Sequence, residues 1–108
     1  MTSREQAAAD CLSMMDGDFL KSFAEPARVE IIRVLVLHGR SDVGTIASHL
    51  PQDRSVVARH LQNLARSGIV RAESEGRHTF YQLDGPAIQA QLNTIQQLMA
   101  HLVPVCCP

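Results

Sequence analysis

Two groups of side chains in this 108-residue sequence have the types and spacing to do chemistry: a stretch of arginines with small neighbours, and a pair of adjacent cysteines. The first is Arg54-Ser55-Val56-Val57-Ala58-Arg59-His60-Leu61. On a helix, Val56, His60 and Leu61 can turn inward, which leaves Arg54, Ser55, Ala58 and Arg59 on or near the outer face. A guanidinium donates two parallel hydrogen bonds to the edge of guanine, and small residues beside it let the helix come close to the bases. Gln52 just ahead of this stretch, and Arg77 and His78 next to Gly76, complete the expected DNA contacts, with Arg77 placed to reach phosphate or the minor groove.

The second group is Cys106-Cys107, with Cys11 near the other end. Adjacent α-carbons stand about 3.8 Å apart, short of the roughly 4.4 Å that a disulfide usually needs. The pair is therefore better suited to chelating one soft ion than to oxidising with itself. If the first and last helices pack together, Cys11 could supply a third sulfur. Three sulfurs favour trivalent arsenic or antimony, an organoarsenical, or a heavy divalent ion such as lead, cadmium or mercury. Tetrahedral zinc would need a fourth ligand, for which the candidate is His101. The alternative is a redox or persulfide sensor that closes a disulfide from Cys11 to Cys106 or Cys107. The histidines form no ligand cluster: His60 reads as a packed helix residue, and His38 and His49 as helix-end or surface residues.

The elements that must position these groups follow from periodicity. Ala8, Leu12, Met15, Phe19 and Phe23 share one helical face over residues 4–23, with Asp16-Gly17-Asp18 a point of bending. Pro26 opens a second helix, striped by Val29, Ile32, Leu35 and Val36 and stopped by Gly39. Asp42 caps a short third helix carrying Val43, Ile46, Ala47 and Leu50, which Pro51 ends. Asp53 caps the arginine-bearing helix, which runs to Gly68. Two short helices joined by about four residues have helix-turn-helix spacing. Residues 69–71 and 79–83 form a two-stranded hairpin around a polar turn at 73–76. The last helix starts near Pro86, with Ile88, Leu92, Ile95, Met99 and Leu102 as a heptad-like seam. The expected fold is mainly α with a small β-hairpin: a winged helix-turn-helix of five helices with a two-stranded wing. It forms one unit over residues 1–108, with 42–67 as the helix-turn-helix and 69–83 as the wing. Residues 1–23 and 85–108 are expected to be dimerisation helices.

Charge supports this division. The formal net charge is −1, yet residues 54–77 hold five arginines against Glu73 and Glu75, and residues 1–30 hold six acids against Arg4, Lys21 and Arg28. From Gly85 onward there is no Asp, Glu, Lys or Arg. A basic face suits a polyanion, and an uncharged helix suits burial against a second subunit. The absence of a long apolar run or a signal-like start, together with three cysteines at the extremities, points to a reducing, cytoplasmic location and no membrane partner. A thiol enzyme would want Cys-x-x-Cys or a cysteine at a helix N-terminus near a base, and the Cys106-Cys107 pair offers neither.

Residues 23–84 resemble the ArsR-SmtB family of bacterial metal- and stress-responsive repressors. Phe23-Ala24-Glu25-Pro26-Ala27-Arg28 is similar to that family's L-A-D-P-T-R entry to its second helix, and Arg54 to Leu61 to its Q-S-x-V-S-x-H-L recognition helix. Ser67-Gly68-Ile69-Val70 followed by Gly76-Arg77 and Tyr81 resembles its wing. The resemblance implies a homodimer paired through its first and last helices, bound to palindromic double-stranded operator DNA and released on sensing. Ala58 stands where the family's serine does, so that hydroxyl contact is missing. The family's C-V-C metal pair would fall near Asp42-Val43-Gly44, and its zinc pattern near Asp84, Pro86, Gln97 and Ala100; neither is present. What remains is the thiol site of Cys11, Cys106 and Cys107, with no constitutive cofactor and trivalent arsenic or another thiophilic ion as the expected effector.

Overall fold

A computed structural model describes residues 2–107. Met1 and Pro108, the ends of the expected 1–108 unit, lie outside the described residues. The chain runs α1 (Ser3–Asp16), α2 (Asp18–Ala24), α3 (Pro26–His38), β1 (Ser41–Asp42), α4 (Val43–Ala47), α5 (Arg54–Arg66), β2 (Val70–Glu75), β3 (His78–Leu83) and α6 (Gly85–Cys106).

The structure departs from the sequence pattern in three places. The described residues form six helices rather than five, because Gly17 takes an extended conformation (φ −68°, ψ 148°) and splits the first helical stretch instead of bending it. The wing belongs to a three-stranded antiparallel sheet of order β1-β3-β2, since Ser41 and Asp42 pair with Tyr81 and Phe80. The hairpin is also tighter than a polar turn over 73–76. Glu75 pairs with His78, which leaves only Gly76 and Arg77 to turn the chain. Gly76 takes φ +58°, as the first residue of a glycine-first two-residue hairpin turn must.

The core is built by α2, α3, α4, α5 and the sheet. Ile31, Ile46, Val57, Leu61, Leu64 and Ile69 are at most 1% exposed, with Phe19, Val34, Leu35, Val70 and Tyr81 around them. On α5 the deepest valine is Val57, with Val56 only half-buried. The end of α5 is fixed by a Schellman motif, in which the Ile69 N–H donates to Leu64 O (3.0 Å) and the Gly68 N–H to Ala65 O (3.2 Å). The apolar contact that accompanies such a motif comes from Leu64 and Ile69, both fully buried. Helix α6 then returns along α1. Arg4 donates to Val105 O (3.2 Å) across that pair, so the start of α1 lies beside the end of α6.

Candidate nucleic-acid interface

Helix α4 is held at its start by Asp42, whose carboxylate accepts the Thr45 N–H at 2.8 Å. Asp53 occupies the same position on α5 but makes no side-chain cap hydrogen bond. With Val57, Leu61 and Leu64 buried, the helical period leaves Arg54, Ser55 and Arg59 exposed and Ala58 half-buried. Arg54, Ser55 and Ala58 line a groove of about 570 Å³, facing Arg77, His78 and Thr79 from the wing and Asp42 and Val43 from the start of α4. The N-terminal half of α5 and the tip of the wing thus open onto one concavity. Arg59 is exposed outside this lining, and Gln52 is half-buried in the turn before α5. Against Arg77, the tip residue, the sheet supplies rigidity: β3 is paired on both sides near its middle, to β1 and to β2.

Asp42, Val43 and Thr79 line this groove without having been expected there, and of the three only Asp42 carries a charge. Its Oδ2 lies 3.7 Å from His78 Nδ1. Hydrogen bonds from Thr45 hold its carboxyl below the usual carboxylate range, with His78 and Arg54 adding to that pull and partial burial opposing it. The cap was legible in Asp42-Val43-Gly44-Thr45. Its position in the groove depends on the two-residue strand β1, for which the sequence carries no periodicity.

The cysteines are placed less compactly than their number suggests. Cys106 and Cys107 are exposed, with their sulfurs 3.1 Å apart, and the neighbouring Cys106 thiol pushes the Cys107 thiol up. Cys11 is half-buried and touches Met15 Sδ at 3.8 Å. Since Arg4 meets Val105, Cys11 lies about two helical turns further along α1 from the Cys106-Cys107 end. Among the described residues no three His, Cys, Asp or Glu side chains gather to hold a metal ion. The structure therefore brings Cys106 and Cys107 together and leaves Cys11 apart within one protomer. His60 takes a packing role, accepting from Arg28 Nε at 3.4 Å, while His38 and His49 stack ring on ring at 4.2 Å.

The pair of α1 and α6 presents a different kind of surface. Leu12 and Met15 of α1 and Leu92, Met99 and Val103 of α6 are 42–59% exposed. The radius of gyration is 16.9 Å, against about 13 Å for a compact chain of this size. No helix among the described residues is long and apolar enough to cross a membrane.

No protein-family model matches the chain. The transcriptional activator HlyU of Vibrio cholerae serotype O1 is 30% identical over 79 residues, spanning 73% of this chain and 72% of its own. A crystal structure described as a possible transcriptional regulator for arsenical resistance is 34% identical with a TM-score of 0.64, over 74% of this chain and 81% of that one. A homodimeric winged helix-turn-helix DNA-binding domain from Mycobacterium bovis, described as a possible ArsR-family regulator, is 27% identical with a TM-score of 0.62, over 95% and 92% of the two chains.

Proposed function

From the premise that the chain belongs to the ArsR family of winged helix-turn-helix transcriptional regulators, a class of regulators rather than enzymes, we propose that it is a homodimeric repressor. In this reading α5 enters the major groove of a palindromic operator, and a thiophilic effector, foremost trivalent arsenic, bound at Cys106-Cys107 releases it. The observation that carries the DNA reading is the shared groove, where Arg54, Ser55 and Ala58 of α5 face Arg77 and His78 of the wing. Arg54 and Arg59 are the base-edge and phosphate donors, Ser55 and Ala58 allow close approach, and Gln52, Arg77 and His78 contact the backbone. Dimerisation runs through α1 and α6, whose exposed apolar residues a second copy would cover.

The effector reading is supported by the adjacent thiols and by similarity to a regulator described in connection with arsenical resistance. Two sulfurs can each displace one hydroxyl from arsenous acid. Two sulfur–arsenic bonds form, two arsenic–oxygen bonds break, and each thiol proton leaves with its hydroxyl as water, with no change of oxidation state. Because the two sulfurs are already adjacent on the last turn of α6, closing this chelate requires no large rearrangement. Release follows only if the loaded form binds DNA less tightly, and by linkage operator DNA must weaken arsenite binding by the same factor.

The test is fluorescence anisotropy on a duplex selected by this protein from a random library. Arsenite should dissociate the wild-type complex. Cys106→Ser and Cys107→Ser should bind the duplex as wild type does and ignore arsenite, whereas Cys11→Ser should still respond. Release that persists after both terminal cysteines are replaced would exclude this effector site.

A further inference from the structure

The groove between α5 and the wing contains one charge of the wrong sign for a polyanion. Its other ionisable residues are Arg54, Arg77 and His78, yet Asp42 stands among them with its side chain 28% exposed. Capping α4 does not explain the charge, because a neutral asparagine caps a helix as well as aspartate does.

The arrangement around Gly44 offers a reason. A Cβ built on Gly44 would lie 3.5 Å from Arg54 Nη1 and 3.8 Å from Asp42 Oδ1, so guanidinium and carboxylate both stand next to the first turn of α4. The other carboxylate oxygen of Asp42, Oδ2, lies 3.7 Å from His78 Nδ1 of the wing. Asp42 thus sits between the first residue of the recognition helix and the tip of the wing.

We propose that Asp42 is a positioning residue that sets the specificity of DNA reading by offsetting the charge of Arg54 while leaving its hydrogen-bond donors free. This rests on the DNA-binding reading above. A guanidinium has five N–H donors, and among the described residues Asp42 bonds to Thr45 and lies near His78 but takes none of Arg54's donors, so its charge acts on Arg54 through space and leaves them free. Nonspecific binding is driven by charge and counterion release, which every sequence offers equally. Reading guanine depends on short, directional hydrogen bonds to O6 and N7. A carboxylate beside Arg54 therefore weakens the first more than the second.

The experiment compares Asp42→Asn with wild type on two duplexes: one selected from a random library by the wild-type protein, and one of the same composition in shuffled order. Asn keeps the cap, and thermal unfolding checks that the fold is kept. Affinity for the shuffled duplex should rise about fivefold and its salt slope should steepen by about one unit per bound protomer. Affinity for the selected duplex should change less than twofold, so the ratio between duplexes falls. In an Arg54→Ala background the substitution should leave that ratio unchanged. A ratio that Asp42→Asn does not alter, or that it alters equally without Arg54, would overturn the role of Asp42 while the DNA-binding reading stands. A wild-type protein that binds neither duplex would overturn both.

Discussion

The most apolar helix of this protein has no fully buried side chain, whereas a helix with three arginines has three. Helix α6 has 22 residues without a single Asp, Glu, Lys or Arg, and none of its side chains is fully buried. Helix α5 carries Arg54, Arg59 and Arg66 over 13 residues and buries Val57, Leu61 and Leu64 completely. Hydrophobic burial would normally run the other way. The difference shows that the two regions are finished in different ways. The unit of α2 to β3 closes around its own core, leaving Val36 and Leu37 of α3 65% exposed, whereas α1 and α6 hold the apolar seam proposed above to meet a second copy.

The largest effect should come from breaking the unfinished region. Replacing both Leu92 and Met99, 50% and 42% exposed, by aspartate puts four like charges into a symmetric seam. Sedimentation should show a monomer, and affinity for a palindromic duplex should fall by about 10²–10⁴-fold, because the second half-site is no longer tethered. The monomer should keep its helical circular dichroism. A double variant that remains dimeric would place the interface elsewhere.

The closed region should respond in the opposite manner. Leu61→Ala empties a fully buried site and should lower stability by about 2–5 kcal/mol in urea unfolding. A single Leu92→Ala should give a loss that grows with dilution, since the proposed dimer places its contacts between subunits. Measured across a hundredfold range of protein concentration, the two variants separate a core residue from an interface residue.

The same division governs what could be read from sequence. Elements whose signals are local were legible: the Asp42 cap, Pro26 at the start of α3, Gly39 at its end, and the three-and-four spacing on α5. Strand β1 was not, because two residues carry no alternation and their partners in β3 lie about 40 positions away. The break at Gly17 was visible only as a weak point, since nearby aspartates and a glycine mark a bend or a break equally well. The arginines were placed correctly on the outer face because amphipathic spacing alone determines that face. The cysteines were grouped too readily: that α1 and α6 pack together was foreseeable, but the register that puts Arg4 beside Val105 and leaves Cys11 behind was not.

The smallest effect tests whether the closed region is uniform. Past Val70 every residue of β2 is exposed, so that strand, unlike β3 with its buried Tyr81, gains little from the core. It is held by its strand pairing and by Arg40, which reaches Glu75 at 3.0 Å and Glu73 at 3.5 Å and lies 4.1 Å above the ring of Phe80. Both carboxylates are half or more exposed, so the ion pairs are screened and contribute little. The stack on Phe80 is worth about 0.5–1 kcal/mol at such a site. Arg40→Ala should therefore lower stability by about 1 kcal/mol, most of it surviving in 1 M salt where the Debye length is about 3 Å. Arg40→Lys keeps the charge and loses the planar stack, and should behave nearly like alanine in high salt. If lysine instead restored full stability in high salt, the wing would be held by charge, and its attachment would be sensitive to the same ions that weaken DNA binding.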